Sequence, residues 1–169
     1  MKRPTSFGLA AVVLAILACA GPRLALAASA SASVSAAIVP AISISKDTDM
    51  NFADVIAGAS SGTVVLTTGG ARSATGGVTL GNSAGTAAAA FTVSGDPSST
   101  YSITLPGSAT LTSGANNMTV NTFVSSPSAT GTLGGGGTQV LTVGATLQIG
   151  ANQAQATYTG SFDVTVAYN

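Results

Sequence analysis

Residues 28–45 read ASASASVSAAIVPAISIS, with small or apolar residues at nearly every even position: Ala28, Ala30, Ala32, Val34, Ala36 and Ile38, then Ile42 and Ile44. Serine fills most of the odd ones. A period of two places all those even side chains on one face of an extended chain. Pro40 has no N–H to donate and interrupts a ladder. The pattern therefore predicts one strand over Ala30–Val39 and a second over Ala41–Ser45. A polar stretch, KDTDMNFAD, follows as a loop.

Short runs rich in Val, Thr and Ile, bounded by Gly and Ser, continue to the end of the chain. They predict strands at Gly62–Thr68, Gly77–Leu80, Ala88–Ser94, Tyr101–Leu105 and Met118–Val124. Tyr101, Ile103 and Leu105 share one face. A longer strand covers Thr138–Ile149, where the alternation slips at Gly144 and predicts a bulge. The last runs over Tyr158–Tyr168, with Tyr158, Phe162, Val164, Val166 and Tyr168 all at even positions. Many short strands at this spacing predict an all-β domain, an immunoglobulin-like sandwich of two antiparallel sheets.

Composition refines this picture at the chain's start. Lys2 and Arg3 precede an apolar run, Phe7–Ala20, that is short for a bilayer span, and Ala25-Leu26-Ala27 has the small-x-small form that a signal peptidase reads. The expected organisation is a cleaved secretory leader over 1–27, an alternating segment over 28–39 and a sandwich domain over 40–169. Such a chain is exported, first to the periplasm and then to the cell surface or medium, and keeps no stable membrane span. Cys19, preceded by Ile16-Leu17-Ala18, fits a lipid-bearing position poorly and is expected to leave with the leader.

Charge then narrows the partners. Beyond the leader, Lys46 and Arg72 face Asp47, Asp49, Asp54, Asp96 and Asp163, three net negative charges. Two cations make no footprint for a phosphate backbone, so nucleic acid is not an expected partner. Low charge with abundant apolar residues is also the reverse of a disordered composition.

Chemistry-bearing residues are few. The chain has no His and no Glu, which removes the commonest general bases and metal ligands, so neither an enzyme nor a cofactor is expected. Gly134–Gly137 is a flexible loop without the Lys-Ser/Thr pair of a phosphate cradle. Asp47, Asp49 and Asn51 form D-x-D-x-N, oxygen ligands at alternate positions as in a calcium loop. Phe52 and Gly58 stand where that loop needs Gly and Glu, and the favoured reading is a solvated turn. Arg72, in GGARSATGG, reads as a solvated arginine on a glycine-rich loop. Asn117-Met118-Thr119 has the form of a glycosylation sequon and is given no weight.

Three blocks in order, MNFADVIAGASSGTVVLTTGGARSATGGVTL, AAFTVSGDPSSTYSITLP and TYTGSFDVTVAYN, resemble a family of exported bacterial β-domains of unknown function. That family is similar in turn to spore coat protein U and the archaic chaperone–usher pilins, and the resemblance runs from about Ala41 to Asn169. Where its members often carry glycine after N-F, this chain has Ala53.

The resemblance implies an incomplete immunoglobulin-like sandwich, completed by a strand donated from a neighbouring subunit. It also implies a periplasmic chaperone, an outer-membrane usher and copies of this or a related subunit as partners. On that reading Ala30, Ala32, Val34, Ala36 and Ile38 form the apolar face of the donor strand. Phe162, Val164, Val166 and Tyr168 form the apolar face of the last strand. The expected function is that of a surface fibre or coat subunit. The alternative is a self-complete secreted module that binds a glycan or protein ligand, with residues 28–39 folded into its own sheet.

Overall fold

The computed structural model describes residues 27–169, so the leader (apart from Ala27) and Cys19 lie outside the described residues. Two units are distinguished, one ending at Ala36 and one spanning Ala37–Asn169. Within the first, residues 27–36 are exposed and form no strand. The second is all-β, a sandwich built from antiparallel sheets.

Ten strands make it up: β1 (Ser43–Thr48), β2 (Val55–Leu66), β3 (Arg72–Leu80), β4 (Ala89–Ser94), β5 (Thr100–Thr104), β6 (Ser108–Ser113), β7 (Asn116–Ser126), β8 (Thr130–Thr132), β9 (Thr138–Ile149) and β10 (Thr165–Tyr168). Seven of them form a large sheet. Its main path runs β1-β4-β9-β2-β3, and β7 joins β9 and carries β6. The other three form a small sheet in the order β10-β5-β8.

Strand β9 organises the molecule. Leu141, Val143, Ala145, Leu147 and Ile149 are all buried, while Thr142, Thr146 and Gln148 between them are half-buried; only Gly144, buried as well, interrupts the alternation. On one flank β4 pairs with it from Thr138 to Val143 and β2 takes over from Ala145 to Ile149. Gly144 stands at the changeover, where a Cβ would sit 2.7 Å from the Thr67 carbonyl carbon. The expected bulge is real but lies on the facing strand. On β7, Asn121 opposes Thr146 and Val124 opposes Gly144, so one extra residue is inserted there. Thr122 takes a positive φ of 51° at that point, and Phe123 turns onto the core.

Two apolar clusters follow from the changeover. The first gathers Phe52, Val64, Leu66, Val78, Val120, Ala145, Leu147 and Ile149. The second sets Ala89, Val93, Leu141 and Val143 of the large sheet against Tyr101 and Leu133. Ile103, Phe162, Val164, Val166 and Tyr168 pack around its rim.

Several expected boundaries are corrected. Ala30–Val39 is not a strand, because alternation supplies a face but a strand also needs a neighbour's backbone. β1 begins at Ser43 and runs on to Thr48, which takes Asp47 out of the loop. β3 starts at Arg72 rather than Gly77, since β2 continues to bond it below the hairpin turn. Only Thr165–Tyr168 of the last predicted strand is ladder. Before it, Thr159 makes a single bridge to Thr112, although Phe162 and Val164 keep the predicted inward phase.

Ala53 occupies a left-handed backbone conformation, φ 49°, which explains why glycine suits that position. Ala53→Gly is expected to raise stability by about 1 kcal/mol. A chemical denaturation midpoint moving upward at constant slope would confirm it.

Candidate functional site

The small sheet ends on β10 and the main path of the large sheet ends on β1, and these two strands approach each other. Among the described residues, each has a strand partner on one side only. In an antiparallel ladder, opposed residues alternate between bonded and non-bonded pairs, so the pairing phase identifies the unused backbone groups.

On β5, Ile103 N–H donates to Ala129 O on the β8 side, 2.8 Å, and Asn169 N–H donates to Thr100 O, 3.3 Å. With Val166 opposite Ile103, it is Thr165, Ala167 and Asn169 that bond β5. The N–H and C=O of Val164, Val166 and Tyr168 therefore face the open edge. On β4, Gly95 N–H donates to Gly137 O, 2.8 Å, which commits Val93 and Phe91 to β9. Ser94 and Thr92 are left for Ser43 and Ser45 of β1, and the backbone groups of Ile42 and Ile44 point away from the sheet.

The side chains beside these edges are apolar and half-buried. Ile44 comes from β1 and Ile42 from the residue just before it, and Phe162, Val164 and Val166 from the last segment, all resting on the second core cluster. Phe162 is the pivot. It meets Phe123 at 4.9 Å between ring centres and Phe91 edge-to-face at 6.4 Å.

Tyr168 stands where the chain enters this region. Its hydroxyl donates to Pro40 O, 2.9 Å, and accepts from Asp96 N–H, 2.6 Å. The phenol lies so close to Gly95 that any Cβ there would collide with it. Pro40 is thus fixed against the last strand, immediately after the alternating segment. In that segment Val34 is 94 % exposed and Ile38 fully exposed.

The other sequence candidates separate. Asp47 Oδ2 accepts from Thr92 Oγ1, 2.7 Å; Asp49 pairs with Lys46, 2.6 Å; Asn51 Oδ1 accepts from Ala53 N–H, 2.8 Å. Three oxygen donors turned to three different partners do not form a cage. Among the described residues, no three Asp, Glu, His or Cys side chains stand together as metal ligands would.

Arg72 is a correction. It is not a solvated loop residue: half-buried, it donates to the carbonyls of Phe52, Asp54, Gly81 and Asn82, tying the loop before β2 to the end of β3. Its position at the start of β3, in phase with inward-facing Ala74 and Val78, is what aims it there. Sequence reasoning also missed Gln139, whose Oε1 accepts from Tyr101 Oη, 2.8 Å, and from Thr132 N–H, 3.0 Å. A lone Gln in a Thr/Val strand carries no signal of such a role.

Comparison with known families gives a match over residues 42–168 to a domain of unknown function, DUF4402. The chain belongs to the DUF4402 family. No curated protein and no solved structure matches it. In this DUF4402 chain the matched region begins inside the stretch from Pro40 to Ser43 and ends at Tyr168. It thus includes both open edges and leaves out the alternating segment before Pro40.

Proposed function

We propose that this DUF4402 domain is a non-enzymatic exported subunit of a surface fibre or coat, assembled by β-strand addition. Residues 28–39 of one copy lie along the open edge of β10 in the next, supplying backbone bonds to Val164, Val166 and Tyr168. The observation that carries this is the coexistence, among the described residues, of an alternating arm without a strand partner and a β10 edge without one, over an apolar rim. Val34 and Ile38 are the anchors, each contributing at most about 1.5–3 kcal/mol on full burial. Ala30, Ala32 and Ala36 add little area and permit close approach.

On this reading the domain is an incomplete immunoglobulin-like sandwich, as the resemblance to the spore coat protein U and archaic pilin group implies. A periplasmic chaperone would cover the same edge before assembly, and an outer-membrane usher would exchange it. Without His or Glu, the chain offers little for acid–base chemistry.

Val34→Asp and Ile38→Asp each place a charge on the face that has to be buried, which costs several kcal/mol if left unpaired. Both variants are expected to fold normally, since the arm is outside the core, and to run as monomers in size exclusion. Undisturbed polymer in both would sink the proposal.

A further inference from the structure

The outer face of the large sheet carries a different chemistry from the edges. Ladder register aligns Thr75, Thr63, Gln148, Thr119 and Thr110 in one row across β3, β2, β9, β7 and β6. The next row is Ser73, Val65, Thr146, Asn121 and Ser108. Nine of these ten side chains are hydroxyls or amides, and none is charged.

The three central members of the first row, Thr63, Gln148 and Thr119, line a shallow groove that also takes in Asn117 and Gln153, with Gly62 and Gly150 along it. The groove has no charged side chain either. Gln153 is held in place, its Nε2 donating to Asn117 O, 3.2 Å, and to Tyr158 Oη, 2.8 Å. Tyr158 in turn donates to Ala154 O, 2.9 Å. Both N–H groups of Gln153 are thus committed, and Oε1 is left as a fixed acceptor. Gln148 uses one N–H on Asn121 Oδ1, 3.1 Å, and keeps one donor and one acceptor. An amide with one donor and one acceptor free suits two neighbouring hydroxyls of a sugar ring.

We propose that this face binds a neutral, extended polysaccharide lying across the strands. Strands repeat at about 4.7–4.9 Å, close to the advance of one sugar unit along an extended β-linked chain, so successive rings meet successive strands. An anionic glycan would find no cation in either row or in the groove, and an apolar ligand would strand the hydroxyls and amides unpaired. With no aromatic platform in the rows, affinity per site is modest and comes from hydrogen bonds.

The test is co-sedimentation of the folded, secreted chain with insoluble cellulose, chitin and β-1,4-mannan, all extended neutral chains. Binding to at least one is expected, retained at high salt because no ion pair is involved. Gln148→Ala and Thr119→Ala, both on the outer face, should each weaken it roughly fivefold; Thr119→Ala leaves the melting temperature unchanged, while Gln148→Ala also loses the bond to Asn121 and is compared as folded protein. Neither touches the arm or β10, so assembly is expected to be intact and the two proposals fail separately. No binding to any of the three solids, or equal binding by both folded variants, would overturn the site.

Discussion

Tyr101→Ala is expected to destabilise the domain by about 3–5 kcal/mol, a large share of the total stability usual for one domain. Tyr101 is fully buried in the second cluster, between the small sheet and Val93, Leu141 and Val143. Its ring lies directly over Gly131, where no Cβ would fit. Truncation leaves a ring-sized void and removes one of the two donors to Gln139 Oε1. Tyr101→Phe keeps the ring and loses only the hydroxyl, so about 1 kcal/mol is expected. Urea melts of the two variants check both values.

The same residue sets an alkaline limit. Burial pushes the Tyr101 phenol above its ordinary value of 10.0. Above that value the unfolded phenol has lost its proton while the folded one still holds it. The unfolded state then binds fewer protons, so stability falls as pH rises. That contribution is complete below pH 10 and is lost upward from there, and Tyr101→Phe should flatten the decline.

Arg72→Ala is expected to cost about 2–3 kcal/mol, the scale of charge-assisted bonds discounted for partial exposure. The guanidinium serves four carbonyls from two chain segments, and its removal frees the loop Met50–Asp54 from the end of β3. Lysine cannot reproduce this, because three donors on one nitrogen do not span a planar fork's targets. Arg72→Lys should recover less than half of the loss in the same melts. Hydrogen exchange should rise at Asn51, which is tied to Ala87 across that loop.

The all-β class and most strands were legible because Val, Ile and Thr alternate wherever one face is buried. Even Phe162 and Val164, which precede the ladder of β10, keep that phase. What stayed hidden were features that alternation does not encode. β6 and β8 are built largely of Ser, Thr and Gly: half-buried Ala109 and Leu111 on β6 and a lone buried Gly131 on β8 give too weak a contrast. The bulge near Gly144 was placed on the wrong strand. The glycine marks a crowded crossing, while the extra residue sits opposite, at a Thr with no conformational signature. Arg72 looked solvated because the glycines around it suggested a loop, when they in fact belong to the β2–β3 hairpin.

The arm was the reverse case, since its pattern was the clearest in the chain and it is not a strand. Period two specifies a face and leaves the partner open. That is the point on which the functional account turns, and Tyr168, bonded to Pro40, marks where the arm departs.

The most direct measurement is the mass distribution on an unheated denaturing gel, comparing the chain beginning at Ala28 with one beginning at Pro40. Strand exchange between copies gives a ladder from the longer chain that collapses to monomer on boiling. The shorter chain, lacking the arm, is expected as a folded monomer with no ladder. A single monomer band from the longer chain, with the shorter one unfolded, would contradict strand exchange and would mean that residues 28–39 complete their own sheet.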